Sequence, residues 1–305
     1  MNRKKFIPLV IFIPVILYAI FWGYVRYAGE TVKEIKPSDW IMKKPDNIQR
    51  PAIHLSGAGN FRDVGKIYLD SLHFIRAGFL YRSDSPSKYT DDDWKMLKDL
   101  GITLIIDLRS DKESDKDPYT PVEGIRYIRN PVYNNDPVKS VMNHILFNRS
   151  RLGDMMANAY LKMVNDRAKS FGKSIQFIAD NLDHGTIVHC TAGKDRTGIL
   201  VAMILDLMGV GKKDILYDYS LSNAGFESNY EAFLLKDASK LKMIGVPPEQ
   251  LKILFMANPE WLENALDDIS NHYGNMENYL LTAGGMKKES LERLKTKMIA
   301  TEDFR

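Results

Sequence analysis

Cysteine is almost absent from this chain: Cys190 is the single one in 305 residues. That excludes an intrachain disulfide and any cysteine-rich metal site. No group of His, Cys and carboxylate residues falls at metal-ligand spacing, so neither a metal nor a cofactor is expected. A lone cysteine suits an oxidising exterior, where it has no partner to mispair with. Excess charge is lacking too, with 42 Lys and Arg against 39 Asp and Glu. Four of the basic residues, Arg3, Lys4, Lys5 and Arg26, flank one apolar stretch. Without them 38 basic residues face 39 acidic ones, which leaves no basic patch for nucleic acid. Internal repeats and low-complexity runs are absent, so one large domain is expected after the N-terminal region.

Long apolar runs are scarce, with one exception. Residues 6–25 carry no charge, and 20 residues suffice to cross a hydrocarbon core of roughly 30 Å. Trp22, Tyr24 and Tyr27 sit near its end like an interfacial belt. The expectation is a transmembrane signal anchor over residues 1–28, a linker over 29–50 and a catalytic domain over 51–305. Bulky residues around 22–29 argue against cleavage. The short basic N-tail places the catalytic domain outside the cytoplasm, with a cytoplasmic-facing or secreted form as alternatives.

What is present is a compact constellation around Cys190. The apolar run 186–188 reads as a buried strand, and residues 199–208 read as a buried helix. Between them stands His189-Cys190-Thr191-Ala192-Gly193-Lys194-Asp195-Arg196-Thr197-Gly198. A strand–loop–helix turn aims backbone N–H groups and the positive helix end into the loop, which makes an anion-binding nest. The same field favours the thiolate, the nucleophilic form of cysteine. Arg196 offers a planar fork that grips two oxygens of one phosphate. Gly193 permits the tight curl. These residue types point to attack of a thiolate on a bound phosphate.

The pattern elsewhere is mixed α/β. A helix is expected over 90–100, with Thr90 as N-cap and Gly101 as stop, then a strand over 103–107. A polar loop follows over 111–121, a strand over 126–132, and helix over most of 154–181. From Thr197 onward the pattern is helical, broken at 209–211 and 246–248. This fits a mostly parallel central sheet flanked by helices, with the site at the carboxyl end of the 186–189 strand.

The Cys-x5-Arg string, with Lys and Asp before the Arg, resembles the bacterial branch of the protein tyrosine and dual-specificity phosphatases. Further blocks carry the resemblance: Asn-Phe-Arg-Asp-Val-Gly at 60–65, Leu-Tyr-Arg-Ser-Asp at 80–84, 101–110 with Asp107 and Arg109, and 273–281. One departure is Lys66, where the family usually has a second glycine. The resemblance implies a phosphatase with Cys190 as nucleophile and Arg196 as phosphate clamp. Backbone N–H groups of Thr191, Ala192, Gly193 and Lys194 would bind substrate. His189 would fix Cys190, and Thr197 would donate to its sulfur. It also implies an ion pair between Lys194 and Asp107, with Arg109 at the substrate or the loop; a structural salt bridge is the other reading of Asp107 and Arg109. Asp195 is the first candidate for general acid, ahead of Asp136 and Asp84. Arg62 and Asp63 read as ties to the core. Expected partners are a phosphotyrosine protein or a phosphorylated small molecule or lipid, and a membrane through the N-terminal helix. Phosphoinositide or inositol-phosphate hydrolysis and an inactive phospho-ligand binding module are the alternatives. Residues 230–256 are either a helical lid or a layer packed on the sheet.

Overall fold

The computed structural model describes residues 37–133, 152–225 and 252–302. Its centre is a five-stranded sheet in the order β1-β3-β6-β4-β5: β1 (Arg62–Asp63), β3 (Leu80–Ser83), β4 (Ile102–Asp107), β5 (Arg126–Arg129) and β6 (Gly185–His189). β3, β6, β4 and β5 run parallel, and β1 pairs antiparallel with β3. A separate antiparallel pair joins β2 (His73–Ile75) to β7 (Ile299–Thr301).

β6 is buried at every position because helices cover both faces of the sheet, so its sequence shows no apolar–polar alternation with an exposed face, and its polar members Thr186 and His189 are buried as well. Helices α1 (Asp91–Asp99) and α2 (Asp111–Lys116) lie in the first half. Then come α3 (Leu152–Asp166), α4 (Ala168–Ala179), α5 (Asp195–Leu207) and α6 (Lys212–Ser220). The last group is α7 (Lys252–Phe255), α8 (Pro259–Tyr273), α9 (Met276–Thr282) and α10 (Lys288–Met298). α5 is buried almost all round, from Thr197 to Leu205, as an apolar helix at the centre of a layered fold must be.

Local signals place several elements. Thr90 caps α1 with a capping box to Asp93, and Gly101 follows at φ +71°. The 154–181 helical stretch is two helices, parted at Arg167. The expected polar loop after Arg109 begins instead with α2, because Ser110 and Glu113 form a second capping box. α5 starts at Asp195, two residues before the expected Thr197. Lys66 stands where a glycine was expected, and it does adopt a left-handed backbone at φ +55°, with its Nζ 4.3 Å from the Phe74 ring.

The fold expectation needs one correction. Among the described residues no helix is long and apolar enough to cross a membrane. The fold is therefore the α/β sheet domain without a described spanning helix. The stretch 6–25 lies outside the described residues, as do Asp136 and most of 230–256.

Candidate active site

β6 occupies the middle of the sheet, and its carboxyl end delivers Cys190 between the ends of β3 and β4. Cys190 is buried. Gly193 takes φ +65°, and a Cβ there would lie 2.2 Å from the Ser83 carbonyl oxygen. The turn therefore needs glycine for its conformation and for its closeness to β3.

Four successive carbonyls of the turn are held from outside. His189 Nδ1 donates to Cys190 O at 3.0 Å and Ser85 N to Thr191 O at 3.1 Å. Asn60 Nδ2 donates to Ala192 O at 2.9 Å, and Arg82 Nη2 to Gly193 O at 2.7 Å. In a planar trans peptide the C=O and the N–H point in opposite directions. Outward carbonyls thus turn the N–H groups of Thr191, Ala192, Gly193 and Lys194 the other way. Those of Thr191, Ala192 and Gly193 take no hydrogen bond among the described residues. A run of inward N–H groups at a helix start is an anion cradle.

Arg196 completes it. Its Nη1 and Nη2 each donate to Glu113 at 2.7 Å, and Nη1 reaches Leu108 O at 3.4 Å. That end-on pairing leaves the Nε–Nη2 edge of the fork for a second pair of oxygens. Burial would lower the Arg196 pKa, but the Cys190 thiolate and the Glu113 carboxylate outweigh it and raise it. Glu113 is pushed up by burial and pulled down more strongly by Arg196, to about 2. Glu113 also accepts from Thr191 Oγ1 at 2.7 Å. It ties both ends of the loop, yet the sequence around it reads only as a polar loop.

His189 is fully buried. Its Nδ1 faces a carbonyl, so it carries the proton, and Nε2 accepts from Tyr119 OH at 2.6 Å. Burial lowers its pKa to about 4 against the pull of Asp107, so it is neutral at pH 7. Thr197 Oγ1 is buried with no hydrogen-bond partner among the described residues.

The ion pair expected between Lys194 and Asp107 does not form. Lys194 Nζ donates to Leu254 O at 3.2 Å and Met256 O at 2.9 Å, and pairs with Asp195 at 3.0 Å. It is buried, with its ammonium on carbonyls of α7 and of the residue that follows it. Asp107 accepts instead from Arg109 N, Nε and Nη2, from Ser114 and from Tyr127. Arg109 also donates to Ser85 Oγ and Asp117 O. Asp107 and Arg109 form the structural salt bridge, and among the described residues Arg109 reaches the loop through Ser85, whose N–H holds Thr191 O.

Of the carboxyl candidates, Asp195 Oδ1 accepts from Tyr160 OH at 2.6 Å, while Oδ2 takes no hydrogen bond among the described residues. Asp84 accepts from Gly59 N at 2.9 Å, Asn60 N at 3.3 Å and Ser83 Oγ at 3.1 Å, and burial raises its pKa. Arg62 and Asp63 tie backbone and core as expected: Arg62 bonds Asp218, and Asp63 bonds Gly65 N and Gly78 N.

A buried cysteine inside a ring of inward N–H groups, with an arginine fork at its rim, defines a cysteine-dependent phosphate-binding class. The sequence profile of the tyrosine phosphatase family matches residues 53–300, and the chain belongs to that family. A Cupriavidus necator protein carrying a tyrosine-protein phosphatase name is 26% identical over 73% of this chain and 81% of its own length. A Nostoc commune tyrosine-protein phosphatase is 31% identical over 48% of this chain, which spans 49% of that relative. The triple specificity protein phosphatase PtpB of Mycobacterium tuberculosis is 26% identical over 75% of this chain and 93% of its own length. The chain is thus a phosphatase.

Proposed function

We propose that this phosphatase hydrolyses phosphotyrosine in proteins, with phosphoserine and phosphothreonine as further substrates, through a phosphocysteine intermediate. The observation that carries this reading is the inward ring of N–H groups around Cys190, closed by the free edge of Arg196. Such a ring favours the charge that builds on the equatorial oxygens during transfer. The Cys190 thiolate forms an S–P bond as the ester P–O bond breaks. Asp195, through Oδ2, gives its proton to the leaving oxygen. Water then attacks phosphorus, its proton passes to the Asp195 carboxylate, and the S–P bond breaks. The Thr197 hydroxyl, buried without another partner among the described residues, donates to the departing sulfur.

The breadth of the specificity is supported by the name of the Mycobacterium tuberculosis relative. A phosphoinositide reading would draw on Lys194 as a second cation in the pocket. Lys194 is committed elsewhere, to Leu254 O, Met256 O and Asp195, so that reading loses its support. Hydrolysis of p-nitrophenyl phosphate by the wild type and by Cys190→Ser tests the chemistry. Turnover must vanish in the variant; equal rates, or no turnover in the wild type, overturn the enzyme reading in favour of a binding module. A panel of phosphotyrosine, phosphoserine and phosphothreonine peptides beside phosphoinositides then tests the substrate class. Preference for the lipids would overturn it.

A further inference from the structure

Asp218 lies on α6, far from Cys190 in sequence, and no step of the chemistry above uses it. It is fully buried and meets three guanidiniums: Arg50 Nη1, Arg62 Nε at 3.2 Å and Arg82 Nη1 at 2.7 Å. Two of these arginines lead straight to the cradle. Arg82 Nη2 donates to Gly193 O at 2.7 Å. Arg62 Nη1 donates to Asn60 Oδ1, which fixes the amide so that its Nδ2 faces Ala192 O at 2.9 Å. Arg62 is donor only, so the opposite flip of Asn60 is excluded. One carboxylate thus anchors two arms that end on neighbouring carbonyls of the loop.

We propose that Asp218, acting through Arg82 and through Arg62–Asn60, sets the orientation of the Ala192–Gly193 and Gly193–Lys194 peptide groups, and so aims two of the cradle's N–H groups at the bound phosphate. This makes Asn60, Arg62, Arg82 and Asp218 positioning residues. The proposal rests on reading residues 190–196 as a phosphate cradle. The physical need is plain, since Gly193 has the freest backbone of the loop and either flanking peptide would otherwise be free to rotate. A rotated peptide presents a carbonyl oxygen to the phosphate, which repels it. The arms also explain why a charged cluster is buried: Asp218 stays ionised, held well below the ordinary carboxylate range by the three arginines against the effect of burial.

Asn60→Asp isolates the claim. It keeps the shape of the side chain and pairs well with Arg62, and it replaces the donor facing Ala192 O with an acceptor. The readouts are inhibition of p-nitrophenyl phosphate hydrolysis by orthovanadate and by inorganic phosphate, kcat and KM, and Tm. The expected result is a vanadate inhibition constant raised at least about tenfold, with Tm near that of the wild type. Arg82→Lys keeps a cation for Asp218 but loses the second arm, and it moves the vanadate constant in the same direction. Should Asn60→Asp not fold, Asn60→Ser takes its place with the same readout. Vanadate binding equal to wild type in the folded Asn60 variant overturns the proposal alone. A wild type that neither turns over substrate nor binds vanadate overturns the cradle reading with it.

Discussion

The two flanks of the 190–194 turn are each organised by one buried aspartate, and they differ in charge. On the β3 side Asp218 faces Arg50, Arg62 and Arg82, an excess of two positive charges. On the β4 side Asp107 faces the single guanidinium of Arg109, with Tyr127, Ser114 and a neutral His189 around it. The β3 side also receives the carboxyl end of α6, where Arg62 Nη2 bonds Asp218 O at 2.7 Å and meets the negative end of the helix dipole. The lesson is a division of labour. The β4 side balances its charge and sets the shape of the floor beneath Cys190. The β3 side concentrates cations, of which Arg82 holds the Gly193 carbonyl directly and Arg62 holds Asn60 against that of Ala192.

The sharpest way to break that contrast is to neutralise each aspartate in turn. Asp218→Asn leaves three buried guanidiniums without their anion, a loss of about 3–5 kcal/mol. Tm falls on the order of 10 °C. Asp107→Asn leaves Arg109 with Ser85 Oγ, Asp117 O and the face of Tyr119, and costs about 1.5–3 kcal/mol. Urea unfolding at pH 7 measures both. If Asp107→Asn costs as much as Asp218→Asn, the two flanks are not different in kind.

Acid separates the flanks next. The folded His189 pKa is about 4 against an ordinary 6.5. Above pH 6.5 the imidazole is neutral in both states, and its contribution is fully present. As pH falls from 6.5 toward 4 the unfolded chain takes up a proton that the folded chain refuses, and stability is lost. Asp218, depressed below 3.8, keeps its contribution until the pH falls below that ordinary value. Unfolding free energy measured from pH 8 to pH 4 therefore drops in the wild type through the histidine window. His189→Asn flattens that drop, and an unchanged slope would remove the histidine from the account.

How far these flanks are legible in the sequence depends on how local they are. The strand–turn–helix around Cys190, the cap at Thr90 and the break at 209–211 each sit within a dozen residues, and local chemistry fixes them. The pairing of Asp107 with Lys194 is what the resemblance implies, and adjacent strand ends say where the two backbones meet but not where a long lysine side chain turns. Lys194 turned toward Leu254 and Met256. Glu113 meets Arg196 across 83 residues and Asp218 meets Arg82 across 136, and no local signal foretells such partners. Asn60 and Arg82 lay in blocks already singled out, but their use became visible only with the carbonyls they hold. The spanning helix was inferred from a charge-free run of 20 residues and its flanks, which lie outside the described residues, and no described helix answers to it.

Glu113 connects the β4 side to the loop directly, and its replacement has a middle-sized effect. Glu113→Gln keeps the length and loses the charge that pairs both ends of the Arg196 fork. The expected fall in kcat/KM is about tenfold, carried by the loss of one charge-assisted hydrogen bond. In the wild type Glu113 titrates near 2 against an ordinary 4.5, so its contribution to stability is present above pH 4.5 and fades below it. A Gln variant with full activity would mean that the Arg196 fork is held by the turn itself.

The smallest effect is expected where neither flank reaches. Asp195 opens α5, and Tyr160 from α3 donates to its Oδ1 at 2.6 Å while also bonding Tyr219 OH. If Asp195 is the general acid proposed above, holding Oδ1 in this way leaves Oδ2 to carry the proton for the leaving group. Tyr160→Phe removes the tyrosine's share of the hold, leaves Lys194 on the same oxygen at 3.0 Å, and touches neither aspartate cluster. A good leaving group such as p-nitrophenolate needs little protonation, whereas an alkoxide needs it fully. The variant should therefore lose several-fold in kcat on an alkyl phosphate, about 3- to 10-fold, and less on p-nitrophenyl phosphate. Adding Asp195→Asn should cost the alkyl substrate far more than Tyr160→Phe does, and the double variant should be no slower than Asp195→Asn alone, because the tyrosine acts through the carboxyl. Equal losses on the two substrates would show that Tyr160 supports only the packing of α3 against α5, and would move the proton donor away from Asp195 toward Asp84, the carboxyl whose burial already raises its pKa.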